Sequence, residues 1–442
     1  MQKTALSKAV VVALATLGAG AAMAQSSVTL YGNIDVAVDS VHKGQGDISG
    51  TLFQTLPAAL SSTALATAYN AAYANKATLT RVSPSISSQN AIGVKGVEDI
   101  GGGFKASFVL EGQMSPDNGA QSGQDSRMWG RQAFVGLTTP YGEVRLGRQY
   151  APMFYSYAFT TVEALGAADM QALGLAANNL QIRQDNQMSY WLKSGDLTAV
   201  ASYSPQAGVD STINTTRGTS TTTTSGQIIG GASAGTEATG AGGRGQTYGA
   251  LVSYAVSPEL QVNGAYHMNR YGNAKLNVAG VTSVTLFNLD KDTSVSLGTK
   301  YTSSSGLVVG ANLYQTKFAM DNGADVKMTS LGLGVKQTID QFAVGAQFGY
   351  AKFNNFTKGK DQALMLIGDY NFSKRSKLYI RAGMIKDSRG NLANTESSFQ
   401  LAGGPVPLLG ALGSTESPFF AGGGANIDAT SRVLAIGIRH QF

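Results

Sequence analysis

Apolar and polar residues alternate at every second position along many segments of this chain, and this alternation constrains the fold more than any other feature. In the segment 28–39 the apolar face carries Val28, Leu30, Ile34, Val36 and Val38, and the polar face carries Thr29, Tyr31, Asn33, Asp35 and Asp39. The same split recurs in 248–256, 342–350 and 433–442. Because successive side chains of a β-strand point to opposite faces, each segment predicts a strand with one apolar and one polar face.

The connections between the predicted strands alternate in length. Short turns rich in Gly, Pro, Asp and Ser stand at 98–102, 139–142, 194–196, 257–259, 303–306, 338–340 and 372–376. Long, irregular links occupy about 42–85, 114–126, 150–182, 205–246, 271–290, 319–326, 354–361 and 387–428. Hairpins with one smooth end and one elaborated end are typical of membrane barrels. The sequence therefore predicts an all-β protein, a transmembrane antiparallel up-and-down β-barrel of about 16 strands.

Composition supports this class and excludes several others. Only 14% of the residues are charged, against about 25% in an ordinary soluble domain, yet the mean hydropathy is −0.04. Beyond residue 24 the sequence has no apolar run long enough for a membrane-spanning helix. The 18 Tyr and 17 Phe argue against disorder, and the absence of Cys excludes a disulfide scaffold. A net charge of +6 without a Lys/Arg cluster argues against a nucleic-acid partner.

A soluble β-sandwich is the main alternative fold. Such a sandwich fills its inner faces with large apolar residues from both sheets. Here the second face of most predicted strands carries Gly, Ser, Asn, Gln, Lys and Asp instead. That composition suits a wet interior, and a barrel of about 16–18 strands encloses an aqueous channel.

The first 24 residues have the order of a secretory signal peptide. Lys3 and Lys8 precede an apolar stretch, and Ala22-Met23-Ala24 fits the small-x-small cleavage pattern. The apolar stretch is too short to span a membrane. We therefore expect residues 1–24 to be removed and residues 25–442 to form a single barrel domain. Loss of the two lysines lowers the net charge from +6 to +4.

Four stretches of the sequence resemble the general porins of the Gram-negative outer membrane, of the beta-proteobacterial type. They are SSVTLYGNID after the leader, IGVKGVEDIGGGFKASFVLE at 92–111, WGRQAFVGLTTPYGEVRLGRQY at 129–150, and LAIGIRHQF at the end. The resemblance implies a homotrimer of 16-stranded barrels in outer-membrane lipid. It implies water-filled channels for passive passage of small hydrophilic solutes and ions.

The resemblance also implies that the third external loop, 150–182 in this chain, folds into the lumen as a constriction. In such porins, acidic residues of that loop face arginines of the barrel wall. The loop here contains Glu163 and Asp169, and Arg131 and Arg183 occupy the positions of two wall arginines. Rings of charge in a narrow pore set ion selectivity. The alternative, that these four residues are solvated or form structural pairs, stays open.

A third wall arginine of the family is missing at its usual place, which Ala91 occupies here. Either Arg81 substitutes for it, or the pore lacks that charge. Arg145 and Arg148 are further candidates, because alternation alone does not decide which of them faces inward.

The C-terminal strand ends in an aromatic residue. Ile438, His440 and Phe442 resemble the signal by which the barrel-assembly machinery recognises its outer-membrane clients. The same pattern also fits a last strand that pairs with the first, which closes the barrel and removes its exposed edges.

The sequence shows no catalytic constellation. His42, His267 and His440 have no triad partner nearby in sequence, and without Cys or paired His no zinc spacing exists. We therefore expect neither enzymatic activity nor a metal or cofactor. The leading interpretation is a general diffusion channel that sieves by size and charge, with a weak preference for anions. The alternatives are a substrate-specific barrel channel and a non-transporting barrel, such as an adhesin or an enzyme. A plugged receptor would need a globular domain before the first strand, which begins at Val28.

Overall fold

The computed structural model describes residues 27–45, 76–84, 86–122, 127–163, 182–205, 212–214, 246–277, 288–320, 326–354, 360–388 and 429–442. The expected leader 1–24 and the candidate Asp169 lie outside these residues. Within them, no helix is long and apolar enough to cross a membrane.

The described residues form nineteen strands and one helix. The first ten strands are β1 (Ser27–Lys43), β2 (Ala77–Pro84), β3 (Ala91–Gly101), β4 (Phe104–Ser115), β5 (Ala120–Ser122), β6 (Gln132–Thr139), β7 (Gly142–Tyr150), β8 (Arg183–Ser194), β9 (Leu197–Ser204) and β10 (Thr212–Asn214). The others are β11 (Thr247–Ala255), β12 (Leu260–Asn277), β13 (Asn288–Thr302), β14 (Leu307–Met320), β15 (Val326–Ile339), β16 (Phe342–Asn354), β17 (Lys360–Asn371), β18 (Ser376–Ser388) and β19 (Thr430–Gln441). Helix α1 (Pro152–Thr160) follows β7.

Among the described residues, a closed antiparallel barrel of 16 strands accounts for nearly all of these elements. Each strand pairs with the next around the ring, and β19 closes the ring on β1 from Asn33↔Gln441 to His42↔Arg432. The predicted up-and-down barrel is confirmed. The short strands β5 and β10 are additions, paired with β4 and β12.

The second barrel strand is interrupted. β3 pairs with Ser27–Asn33 of β1, and β2 pairs with the following part of β1, from Val36 to Lys43. Between β2 and β3 the chain leaves the sheet, and we call residues 86–90 the inner segment. The predicted link 42–85 is therefore too long, because its last part is strand β2.

The predicted link 271–290 is also too long. β12 continues to Asn277 and β13 already begins at Asn288, with a register shift between Arg270 and Ala274. The sequence of these strand ends does not alternate between apolar and polar residues, and the strands pair there through backbone hydrogen bonds. The sequence pattern therefore could not reveal them.

The two faces of the strands differ as predicted. On β1, Leu30 and Val38 are 60% and 57% exposed, whereas Asp35 and Asp39 are 0% and 1% exposed. The same holds at the other end of the chain, where Leu434 and Ile436 point outward. An apolar outer surface around a polar interior is the arrangement of a membrane barrel.

The chain enters the lumen after β7. Backbone N–H of Ala151 donates to the carbonyl of Ile182 at 2.9 Å, which ties the two ends of the loop together. Helix α1 begins with a proline, a residue that tolerates the first helical turn because its missing N–H would be unpaired there. The helix packs on the inner faces of β11 to β14. The predicted inward loop is confirmed for residues 151–163, which we call the lumen loop, and residues 164–181 lie outside the described part.

Close packing of the loop on the wall depends on residues without side chains. A Cβ added to Gly298 or Gly310 would collide with Thr160, and one added to Gly334 would collide with Val162. Further along, Gln347 Nε2 of β16 donates to Thr161 Oγ1 at 3.1 Å. The loop therefore follows the inner wall past β14 to β16.

The C-terminus closes the barrel. Gly32 and Phe442 exchange two backbone hydrogen bonds of 3.0 and 3.1 Å, and the Phe442 ring covers Gly32, where a Cβ would collide with it. His440 Nδ1 lies 2.8 Å from Ser376 Oγ, and Ile438 points outward. The structure thus places the predicted assembly-signal residues at the seam between the first and last strands.

Candidate functional site

The inner segment is fixed inside the barrel by Asp35 of β1. The Asp35 carboxylate accepts hydrogen bonds from the backbone N–H groups of Ser87 and Ser88, at 2.9 and 2.6 Å. It also accepts one from the Tyr379 hydroxyl, at 2.5 Å. The Asn90 side chain bonds both the backbone N–H and the carbonyl of Asp35. Three donors thus converge on one buried carboxyl group, so the inner segment has a defined position.

A first group of charges surrounds Glu163, just beyond α1, and we call it the loop cluster. Glu163 Oε1 accepts from Arg381 Nη2 at 2.7 Å and from Ser87 Oγ at 2.8 Å. Lys377 Nζ lies 3.5 Å from Oε1, and Lys336 Nζ lies 3.5 Å from Oε2. The loop cluster thus joins the lumen loop, the inner segment and the wall at β15 and β18.

A second carboxylate completes the loop cluster. Asp369 of β17 pairs with Arg381 Nη1 at 2.7 Å and with Lys377 Nζ at 3.0 Å. The Arg381 side chain is fully buried, and the carboxylates of Glu163 and Asp369 compensate its positive charge.

The ionisation of Glu163 follows from these contacts. Burial by itself opposes the charged carboxylate and would raise its pKa. The nearby cations Arg381, Lys377 and Lys336 outweigh burial and hold the pKa of Glu163 well below its usual range. Glu163 therefore carries a negative charge at neutral pH.

A second group of charges lies on β4 to β8, and we call it the wall cluster. Arg131 Nε pairs with Glu111 Oε1 at 2.5 Å. Gln89 Oε1 of the inner segment accepts from Arg131 Nη1 at 2.5 Å and from Arg183 Nη2 at 3.1 Å. The Arg183 guanidinium also lies over the Tyr150 ring, 4.9 Å from its centroid, which adds a cation–π contact.

The wall cluster continues to a second carboxylate. Asp185 of β8 accepts from Arg127 Nη1 at 2.8 Å and 2.7 Å and forms an ion pair with Arg148. Arg148 Nε donates in addition to the carbonyl of Gly130 at 2.7 Å. Arg148 is thus a member of the wall cluster, together with Arg131 and Arg183.

The other candidates lie elsewhere. Arg81 forms a bidentate pair with Asp39 of β1, at 3.1 and 3.2 Å. Arg145 pairs with Glu143 at 2.7 Å. Glu163 forms its ion pairs with Arg381, Lys377 and Lys336, and not with the arginines that sequence reasoning had set opposite the loop.

Sequence reasoning missed the wall partners of Glu163. Alternation could have revealed two of them, because Lys377 and Arg381 share one face of β18 and the apolar Leu378 and Ile380 the other. It could not reveal the inner segment, whose irregular backbone has no period. In the described residues, no group of three or more His, Asp or Glu side chains is placed to hold a metal ion.

Known porins are similar to this chain in sequence and in structure. A family model described as Gram-negative porin matches residues 9–390. Outer membrane porin protein 32 of Delftia acidovorans is 29% identical over 405 residues, which are 89% of this chain and 93% of that protein. An outer membrane porin protein of Bordetella pertussis is 32% identical over 194 residues, 43% of this chain and 44% of that protein.

The barrel is also similar to solved structures. The anion-selective porin from Comamonas acidovorans superposes with a TM-score of 0.64 at 23% identity and covers 95% of this chain and 100% of its own. The trimer form of OmpT from Vibrio cholerae has a TM-score of 0.57 at 13% identity and covers 94% of this chain and 99% of its own. At these identities the likeness shows the fold.

Proposed function

Because the chain belongs to the Gram-negative porin family and is an outer-membrane porin, we propose that its selectivity is set inside the lumen by the loop cluster and the wall cluster. The observation that carries this proposal is the position of the lumen loop. The loop follows the inner wall and brings Glu163 to Arg381, while the inner segment contacts both clusters. These elements would narrow the channel and line the narrow part with fixed charges.

Solutes would be sorted by size and charge. The described members of the two clusters are Arg127, Arg131, Arg148, Arg183, Lys336, Lys377 and Arg381 against Glu111, Glu163, Asp185 and Asp369. Cations outnumber carboxylates, and a positive potential between low-dielectric walls favours anions. The structurally similar porin from Comamonas acidovorans is described as anion-selective, which agrees with this proposal.

Arg183 is buried in the wall cluster, so its charge would act on a passing anion through the electrostatic potential. Its Nε and Nη1 atoms are buried and have no hydrogen-bond acceptor within the described residues. An ordered water beside these two atoms would complete the hydrogen bonds of the guanidinium. An apolar solute in the lumen would displace water from the polar inner face of the barrel without replacing its hydrogen bonds, so the lumen would favour small hydrophilic solutes.

Planar-bilayer recordings test this function. The purified full chain should give large ohmic conductance steps, and a KCl gradient should give a reversal potential on the side of chloride. A bulky hydrophilic solute should lower the conductance. Correctly folded barrels that do not conduct would overturn the channel function. A reversal potential on the side of potassium would overturn the anion preference alone.

We also propose that the barrel forms a homotrimer and is recognised by the barrel-assembly machinery through Phe442. OmpT of Vibrio cholerae is described in a trimer form, and the Phe442 seam closes the ring here. Conductance steps in groups of three and a trimer mass in mild detergent would support the assembly. Removal of residues 1–24 on export would leave Gln25 as the first residue, which N-terminal sequencing of the membrane protein would reveal. We propose no enzymatic role and no cofactor.

A further inference from the structure

A concave site lies at the end of the barrel that carries the short turns, where β15 to β19 meet. It has a volume of about 200 Å³. The charged side chains that line it are Lys336, Asp369, Lys374, Arg375, Lys377 and Arg439. Short turns face the periplasm in outer-membrane barrels, so this site, which we call the vestibule, lies at the periplasmic mouth.

The positive charge of the vestibule is only partly balanced. Among the described residues, Asp369 is its one lining carboxylate, and Arg381 and Lys377 already bind it. Arg439 Nε donates to the neutral Asn33 side chain at 2.9 Å. Lys374 and Arg375 stand in the exposed turn after β17 and form no ion pair with any described residue.

The vestibule is continuous with the loop cluster. Lys336 and Lys377 line it, and each also lies 3.5 Å from a carboxylate oxygen of Glu163. An anion that leaves the narrow part of the channel would therefore meet these two lysines first and the unpaired cations of the turn next. Ammonium and guanidinium groups bind carboxylate and phosphate oxygens through charge-assisted hydrogen bonds.

We propose that the vestibule is a binding site for a small polyvalent oxyanion, such as phosphate or a small polycarboxylate. Several cations around one concavity focus the potential and favour an ion that carries more than one negative charge over chloride. This inference rests on the proposed function, because the ligand reaches the site through the channel or from the periplasm. It adds a saturable step to a channel that otherwise only sieves.

The consequence is a block of chloride current. An oxyanion held in the vestibule occupies the path of smaller anions and adds negative charge beside it. Inorganic phosphate or citrate, added on the periplasmic side of the full chain in a planar bilayer in KCl, should lower the conductance saturably. The effect should be weaker from the other side, since the ion must first cross the narrow part.

The decisive comparison uses two double variants. Lys374→Gln with Arg375→Gln removes two vestibule charges and should raise the half-blocking concentration roughly fivefold, since exposed ion pairs contribute modestly each. Lys105→Gln with Lys193→Gln removes the same charge beside other short turns, away from the vestibule, and should leave that concentration unchanged. Chloride conductance without oxyanion should persist in both variants.

Three outcomes would count against the site. They are a non-saturable effect of phosphate and citrate, an unchanged half-blocking concentration in the vestibule variant, and an equal rise in both variants. Equilibrium dialysis of radiolabelled phosphate against the detergent-solubilised protein gives a readout that needs no current. Phosphate binding without conductance would support the oxyanion site and overturn the proposed channel function. Conductance without phosphate binding would support the channel function and overturn the oxyanion site.

Discussion

The wall cluster and the loop cluster are built in different ways. Arg131 and Glu111 of the wall cluster are 20 residues apart in the chain and lie beside neighbouring strands. Glu163 and Arg381 of the loop cluster are 218 residues apart. Arg131 therefore finds its partner Glu111 within the barrel wall. The loop cluster contains the carboxylate of Glu163 only when the lumen loop is docked on the wall. The difference separates charges that belong to the barrel from charges that depend on the loop.

The largest effect should come from Glu163→Gln, which removes the carboxylate that holds the loop cluster together. Arg381, Lys377 and Lys336 would keep their charges, so the reversal potential should shift further toward chloride. The loop should also dock less firmly, by about 1–3 kcal/mol, since a buried cation loses a hydrogen-bonded partner. Reversal potentials and limited proteolysis of the loop measure the two effects.

Glu163→Asp is the matched control, because it keeps the charge on a shorter side chain. It should restore most of the wild-type selectivity. If Glu163→Gln left both selectivity and proteolysis unchanged, the loop would not depend on this ion pair and the contrast between the clusters would fail.

The next largest effect should come from the wall cluster. Arg131→Gln or Arg183→Gln removes one cation near the path of an anion, and two unit charges about 4 Å apart in water interact by about 1 kcal/mol. The chloride-to-potassium permeability ratio should fall by roughly fivefold. Arg81→Gln is the control, because Arg81 pairs with Asp39 outside both clusters, and it should leave the ratio unchanged. If Arg81→Gln were the only one of these variants to change the permeability ratio, the selective region would lie at β2 instead.

Much of the barrel could be predicted from the sequence, and the reason is physical. Lipid outside and water inside impose a period of two on nearly every strand, as in Leu30 and Asp35 of β1. Arg131 and Arg183 of the wall cluster were expected from the resemblance to general porins, and not from the period of two. The pairing of Glu163 with Arg381 was not predictable, because it follows from the path of the lumen loop across the interior. No local pattern encodes that path.

A smaller effect on the channel should follow from Asp35→Asn, which weakens the support of the inner segment beneath both clusters. Asn has one acceptor oxygen where Asp has two, so it cannot accept from Tyr379 and from Ser87 and Ser88 through separate oxygens. The free energy of unfolding should therefore fall by about 2 kcal/mol. Displacement of Gln89 should also change the single-channel conductance. Asp39→Asn lies on the same face of the same strand and should leave the conductance as it is. Equal conductance changes in the two variants would show that the inner segment has no special part in the channel.

The smallest effect should come from mild acid, and it tests the loop cluster in the unmodified protein. The pKa of Glu163 is held well below its usual range, whereas in the unfolded chain Glu titrates near 4.3. A carboxylate with a lowered folded pKa stabilises the fold fully above its unfolded pKa, and that contribution is lost as the pH falls toward the folded value. Glu163 should therefore keep its negative charge between pH 7 and about 5. Because the charge of the loop cluster then does not change, the reversal potential should stay constant in this range. If it shifted toward chloride in this range in the wild type but not in Glu163→Gln, Glu163 would be gaining a proton there. That outcome would mean that Arg381, Lys377 and Lys336 do not hold the charge as the contacts indicate.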